Sequence, residues 1–238
     1  MRKILTIFVF LLVSATGSAQ WIFGKNPYRN QQSFDDQRIH WGYTIGLNTY
    51  NFKFKYTEDY LKNRGNQEIL TETSFGFAVG LVGNLRILES LNLRFEPNLE
   101  YNKRDLIFPH IADPGKARRE VNTTYLHFPL LLKYSAVRTG NIRPFVMAGI
   151  SQNVNLSSNE DSKEDNYEGT FRMKRLTTNY ELGVGIDFYF PHFKLSTSLR
   201  GSFGLQDELV RDYNENSPWT GYIESMKTRA VFINFTFH

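Results

Sequence analysis

The sequence predicts an all-β fold, an eight-stranded antiparallel transmembrane β-barrel with short turns at one end and long loops at the other. Three observations lead there. The stretch Ser74 to Arg104 reads as two runs of alternating side chains joined by the turn Leu88–Ser90. Such a period of two places successive side chains on opposite faces of a sheet. Both runs exceed twice the usual strand of about five or six residues and suit a tilted membrane-spanning strand instead. Secondly, aromatic residues make up 15% of the 238-residue chain while its mean hydropathy is below zero. That combination is expected where only every second residue touches lipid. Thirdly, the connections between runs alternate between long and short, as they do in barrels with short periplasmic turns and long outer loops.

The elements follow in order. Residues 1–19 carry a charged start, Arg2 and Lys3, an apolar stretch from Ile4 to Val13 and a small-residue end at Ala19. They are expected to be a cleaved secretory signal peptide. Residues 20–39 are polar and without period, an expected periplasmic extension that lies free or folds into the barrel mouth, and 40–238 form the barrel. The first strand starts at His40, with Trp41, Tyr43, Ile45 and Leu47 on one face. The apolar positions then change phase to Tyr50, Phe52 and Phe54, which predicts a bulge near Asn48 and Thr49. A polar connection from Lys55 to Thr71 precedes the hairpin. In its first strand Phe75, Phe77, Val79, Leu81, Leu85 and Ile87 share the oily face. In its second, Leu91, Leu93, Phe95, Pro97, Leu99 and Tyr101 oppose a polar face of asparagine, arginine and glutamate.

A loop from Ile107 to Asn122 leads to the fourth strand, Thr123 to Ala136, and the turn Val137 to Ile142 to the fifth, Arg143 to Leu156. After the loop Ser157 to Lys174, the sixth strand runs from Arg175 to Phe190. Pro191 and His192 turn it into the seventh, Phe193 to Leu205. Gln206 to Glu224 is the last loop and Ser225 to His238 the eighth strand.

Volume decides which face is outside. Eight strands leave an interior just wide enough for side chains, so the bulky apolar face belongs against lipid and the slimmer, charged face within. The expected interior is a structural charge network of Arg86, Arg94, Glu96, Glu100, Arg104, His127, Lys133, Glu181, Asp187 and Arg200, since buried charges must pair. Pro97, Pro129 and Pro144 interrupt strands in a closed sheet, so each implies a bulge or a gap. The heights of Pro97 and Pro129 predict a weak seam between the third and fourth strands.

Little in the chain suggests catalysis. There is no cysteine, which removes thiol chemistry, disulfides and cysteine metal sites. The formal net charge of +4 falls to about +2 once Arg2 and Lys3 are set aside, and no nucleic-acid partner follows. His110, with Asp105 and Asp113 near it in sequence, is the one histidine in an outer loop, and a solvated loop residue is the expectation rather than a general base. The acidic run Glu160 to Asp165 lacks the glycine and spacing of a calcium loop. Gly183-Val184-Gly185 is not followed by a helix and so is no nucleotide loop. Lys227 and Arg229 face outward near the outer rim, where they are expected to reach lipid headgroups. No catalytic, cofactor-binding or metal-binding residue is expected, and a lumen filled by charged pairs leaves no wide channel.

Several motifs carry a resemblance. Thr124 to Tyr134, Arg143-Pro144-Phe145 followed by Ala148-Gly149, and Leu182 to Phe188 resemble small outer-membrane barrels of Gram-negative bacteria that glide or secrete through the type IX system. Gly76 to Arg86 with Leu93-Arg94-Phe95-Glu96-Pro97 is similar to the PorT (SprT) branch. The resemblance spans Gly42 to the end, leaves the outer loops unmatched and implies no catalytic residues. It implies a non-enzymatic outer-membrane component needed for type IX secretion, and for gliding where present. The expected partners are outer-membrane lipids and other secretion-system proteins. The alternative is a small porin-like or ligand-binding barrel without a secretion role.

Overall fold

The computed structural model describes residues 29–63, 68–162, 171–215 and 217–238. The expected signal peptide, the first part of the extension and residues 163–165 of the acidic run lie outside them. The segments are β1 (Ile39–Tyr56), α1 (Glu58–Asn63), β2 (Leu70–Thr73), β3 (Phe75–Arg86), β4 (Leu91–Phe95) and β5 (Asn98–Ile107). They continue with α2 (Pro114–Ala117), β6 (Arg118–Ser135), β7 (Ile142–Asn155), β8 (Leu176–Tyr189), β9 (Lys194–Gly204) and β10 (Ile223–Phe237).

The ten β-segments form eight physical strands, because β2 continues into β3 and β4 into β5. Each pairs antiparallel with its neighbours in sequence, and β10 pairs with β1. As far as the Thr49–Phe75 pair the sheet is therefore a closed ring, the only way for β-structure to satisfy its backbone inside a bilayer; above that level β2 pairs with β5 and β1 with β10. Its register fixes its shape. Stepping across paired residues from Ile39 leads through Leu85, Leu93, Leu132, Ala148, Leu182, Gly201 and Val231 to Thr49, ten residues further along β1. Eight strands with a shear of ten tilt by about 40° on a cylinder of about 8 Å radius. At that tilt the oily face of β3, from Leu85 to Phe75, covers about 25 Å along the axis, the height of a membrane barrel's apolar band.

Alternation puts the greasy side chains outside: Phe75 is 85% and Trp41 72% exposed, whereas Arg104, Glu100 and Glu181 are fully buried. The expected bulge near Asn48 is absent. Pairing of β1 with β10 runs without a shift from Tyr43 to Lys55, and Tyr50 and Phe52 point inward, buried. The phase of the apolar pattern reverses because the strand leaves the apolar band there. Beyond it the outer side carries Asn51, Lys53 and Lys55, and the inner side packs against folded loops. A bulge does occur at Ser74, where the four-residue step from Thr73 to Phe77 faces the three-residue step from Arg104 to Tyr101.

The proline seam is a gap rather than a bulge. β4 and β5 keep one register against β6, but the ladder lapses at Glu96 and Pro97. The Glu96 amide donates to the Pro129 carbonyl at 3.2 Å, and the Pro97 carbonyl accepts from Leu81 at 3.1 Å. Pro144 stays within β7.

Both ends are covered. At the loop end Phe52, Leu106, Val121 and Met226 from the strands join Ile69, Phe108, Phe171, Met173, Leu209 and Trp219 from the connections in one hydrophobic core. At the turn end residues 30–37 fold across the mouth. Asp35 accepts from the Tyr189 hydroxyl at 2.6 Å and pairs with Arg138 and Arg143 at 3.2 and 3.4 Å. Phe34 packs on His40 and His238, with the Lys194 ammonium 5.0 Å from its ring centre.

Candidate functional site

Inside this twice-capped cylinder the parity of β4, β5, β6, β8 and β9 aims charged side chains at one another across the lumen. Six of them make an unbroken chain. Arg94 donates through Nε to Glu96, whose other oxygen accepts from Arg200 Nη1 at 2.7 Å. Arg200 Nε lies 3.0 Å from Glu181 Oε2. The second Glu181 oxygen and Glu100 Oε1 each sit 2.6 Å from a ring nitrogen of His127. Glu100 also accepts from the Tyr50 hydroxyl. With a carboxylate at both nitrogens, the His127 ring satisfies both only when each carries a hydrogen. The chain then holds three cations and three anions, a balance that removes the cost of an uncompensated buried charge.

Not every expected member joins it. Lys133 and Asp187 form a separate cluster nearer the turn end, where Lys133 Nζ meets both carboxylate oxygens at 2.8 Å. Lys194 and Ser196 complete that cluster at 3.0 and 2.6 Å. Arg86 lies at the mouth rather than in the lumen, donating to the Asp35 carbonyl at 2.6 Å and pairing with Asp36 at 3.6 Å. Arg104 stands without a carboxylate partner among the described residues. Its guanidinium lies 3.8 Å over the Phe52 ring and donates to the Tyr125 hydroxyl at 2.9 Å.

Aromatic side chains also occupy the interior, contrary to the expectation that its volume excludes them. Tyr50 stacks on Tyr125 and meets Phe232 edge-on, and Phe232 stacks on His127. Glycine makes some of the room: a Cβ on Gly185 would come within 2.3 Å of the Phe145 ring and of the Thr197 carbonyl. The signal for these inner aromatics was their parity with Asn48 and Asn234, outweighed by their bulk.

The loop histidine is held structurally. His110 Nε2 lies 2.6 Å from the Pro218 carbonyl and Nδ1 3.5 Å from the Tyr60 hydroxyl, in a nest with Phe108 and Tyr222. The acids near it in sequence serve elsewhere: Asp105 pairs with Arg118 and Asp113 caps α2 at the Gly115 amide, 3.0 Å. Glu160 accepts from the Arg175 amide at 2.7 Å. In the connection after β9, Glu208 is buried against Thr228, accepting from its amide at 2.9 Å and its hydroxyl at 2.6 Å. Burial pushes the Glu208 carboxyl above its ordinary range.

Comparison with protein families matches residues 25–210 to the outer membrane protein beta-barrel domain. No curated protein matches the chain. Among solved structures it is similar to the outer membrane protein OprG of Pseudomonas aeruginosa, with 11% identity, a TM-score of 0.45, and 84% of this chain and 93% of that one covered. It is also similar to the attachment invasion locus protein Ail of Yersinia pestis in complex with the heparin analogue sucrose octasulfate, at 11% identity and TM-score 0.41, covering 84% and 99%. For the Neisserial surface protein A the figures are 10% and 0.39, covering 82% and 95%.

Proposed function

The chain belongs to the outer membrane protein beta-barrel domain family, and from that premise we propose that it is a non-enzymatic component of type IX protein secretion, serving gliding where that occurs. In this reading the long loops face outward and the turns face the periplasm. The observation that carries the reading is closure at both ends of a lumen already occupied by a balanced charge chain. Such a barrel does its work through its surfaces and not by conduction. The choice of secretion system rests on the resemblance of Gly76 to Arg86 and Thr124 to Tyr134 to the PorT branch. The proposed partners are outer-membrane lipids and other secretion-system proteins, which meet the barrel at its rims.

Deletion of the gene, with re-expression of the full chain as control, tests this. Cargo accumulating in the periplasm and restored on re-expression is the expected outcome; unchanged export refutes it. Single-channel recording in planar bilayers addresses the porin-like alternative, for which steady conductance would be required.

A further inference from the structure

Around the loop-end edge of the barrel wall, exposed charges are matched on one side and unmatched on the other. On the β2–β5–β6 side Lys103 pairs with Glu120 at 3.3 Å, and Arg118 pairs with Glu72 at 3.3 Å and with Asp105. On the β1–β10 side these strands run in register with Asn51 facing Arg229, Lys53 facing Lys227 and Lys55 facing Ser225. All of these side chains share the outward parity of Leu47 and Val231 below them. Lys55 pairs with Glu224 at 2.6 Å, and Lys227 donates to the Leu205 carbonyl at 2.9 Å. Among the described residues no carboxylate pairs with Lys53, Lys227 or Arg229. These three cations line a recess of about 240 Å³ together with Tyr180, Phe203 and Leu205, the first two stacked at 5.1 Å.

We propose that this recess binds the phosphate of an anionic membrane lipid, with Lys53, Lys227 and Arg229 on the headgroup and Tyr180 and Phe203 against an acyl chain. Height supports the assignment. At the barrel's tilt Arg229 sits level with Tyr101 and Leu126, at the upper limit of the apolar band, and Lys227 and Lys53 lie about 5 and 8 Å above it. That is headgroup depth, so a ligand with phosphate above and hydrocarbon below meets its complement on both counts. Three cations that only snorkel to water would need no stacked aromatic pair beneath them. Three that share a phosphorylated headgroup make charge-assisted bonds in a partly dehydrated layer. The proposal rests on the long loops facing outward, which makes the ligand an outer-leaflet lipid. It does not depend on a role in secretion.

Native mass spectrometry of the detergent-released full-length barrel, titrated with bisphosphorylated lipid A, tests the site without reference to export. The triple variant Lys53→Gln, Lys227→Gln, Arg229→Gln is expected to weaken retention about a hundred-fold, at roughly tenfold or less per cation. The paired-wall control Lys103→Gln, Glu120→Gln is expected to bind as the parent does. Lys53→Arg with Lys227→Arg keeps the charge, folds if the parent folds and is expected to retain the lipid. Equal retention by the triple variant overturns the proposal, as does equal binding of dephosphorylated lipid A. Displacement by inorganic phosphate at millimolar concentration would also overturn it, by making the site one for free phosphate rather than for a lipid.

Discussion

Replacing His127 by leucine removes the centre of the charge chain while keeping a side chain of similar bulk against Phe232. Its two neighbours then differ. Glu181 keeps Arg200 Nε at 3.0 Å, whereas Glu100, fully buried, is left among the described residues with the Tyr50 hydroxyl as its hydrogen-bond partner. Removing one partner of a buried ion pair costs about 3–5 kcal/mol, most of it the penalty of the charge left behind. Since one of the two carboxylates keeps its cation, His127→Leu is expected near the lower end, about 3 kcal/mol. Adding Glu100→Gln removes the stranded charge and is expected to restore at least about half of that loss, as the coupling of contacting residues requires. Equilibrium urea unfolding in lipid vesicles, followed by tryptophan fluorescence and by the heat-dependent gel mobility of folded barrels, measures both. A single variant within about 1 kcal/mol of the parent, or a double variant less stable than the single, would show that the six groups do not act as a balanced chain.

The gap at Glu96, Pro97 and Pro129 predicts faster amide exchange along the β4–β5–β6 seam than along β8–β9; equal protection by hydrogen-exchange mass spectrometry would discard it. Asp35→Asn loosens the segment across the turn-end mouth by about 2 kcal/mol, the scale of a partly exposed carboxylate losing two cations and keeping a hydroxyl. The expected readout is proteolytic release of residues before Ile39 with the barrel intact. Glu208 gives the loop cap a pH dependence. Its raised carboxyl holds a proton that the unfolded chain has already released, so its contribution is full at low pH and is lost as pH rises through the raised value. Acrylamide quenching of Trp219, with the other tryptophans replaced by phenylalanine, is expected to increase between pH 4 and pH 8. Glu208→Gln is expected to flatten that rise.

The strands were legible because lipid imposes a strict parity wherever a strand lies in the apolar band. Phe75 to Leu85, Leu126 to Tyr134 and Val231 to Phe237 announce their outward faces. Parity loses its meaning above the band. At Tyr50 and Phe52 the same alternation continues with its polarity exchanged, because the outer side meets headgroups and water while the inner side meets loops. Reading that exchange as a bulge was the natural error. The loop core was hidden for a related reason: Ile69, Phe108, Phe171, Leu209 and Trp219 belong to short apolar patches without period in otherwise polar connections, and the barrel ring brings them together. Which charges meet was also unreadable, since contacts such as Glu96 with Arg200 depend on the stagger accumulated around the whole sheet. Arg86 has the parity of the lumen residues but lies at the last position of β3, where Asp36 reaches it first.

The charge chain carries a consequence for how such a barrel enters a membrane. Arg94, Glu96, Glu100 and His127 all belong to the hairpin of β4, β5 and β6, and Glu181 and Arg200 to that of β8 and β9. Each hairpin thus brings equal numbers of opposite charges from this chain. Within this chain of six neither ribbon brings an excess charge, whereas Lys133 on β6 and Asp187 on β8 meet only when the two ribbons come together. Cylinder closure then exchanges partners among the six groups of this chain, and the final β10–β1 seam adds side-chain contacts, Lys55 with Glu224 and Thr44 with Thr236, to its backbone pairing.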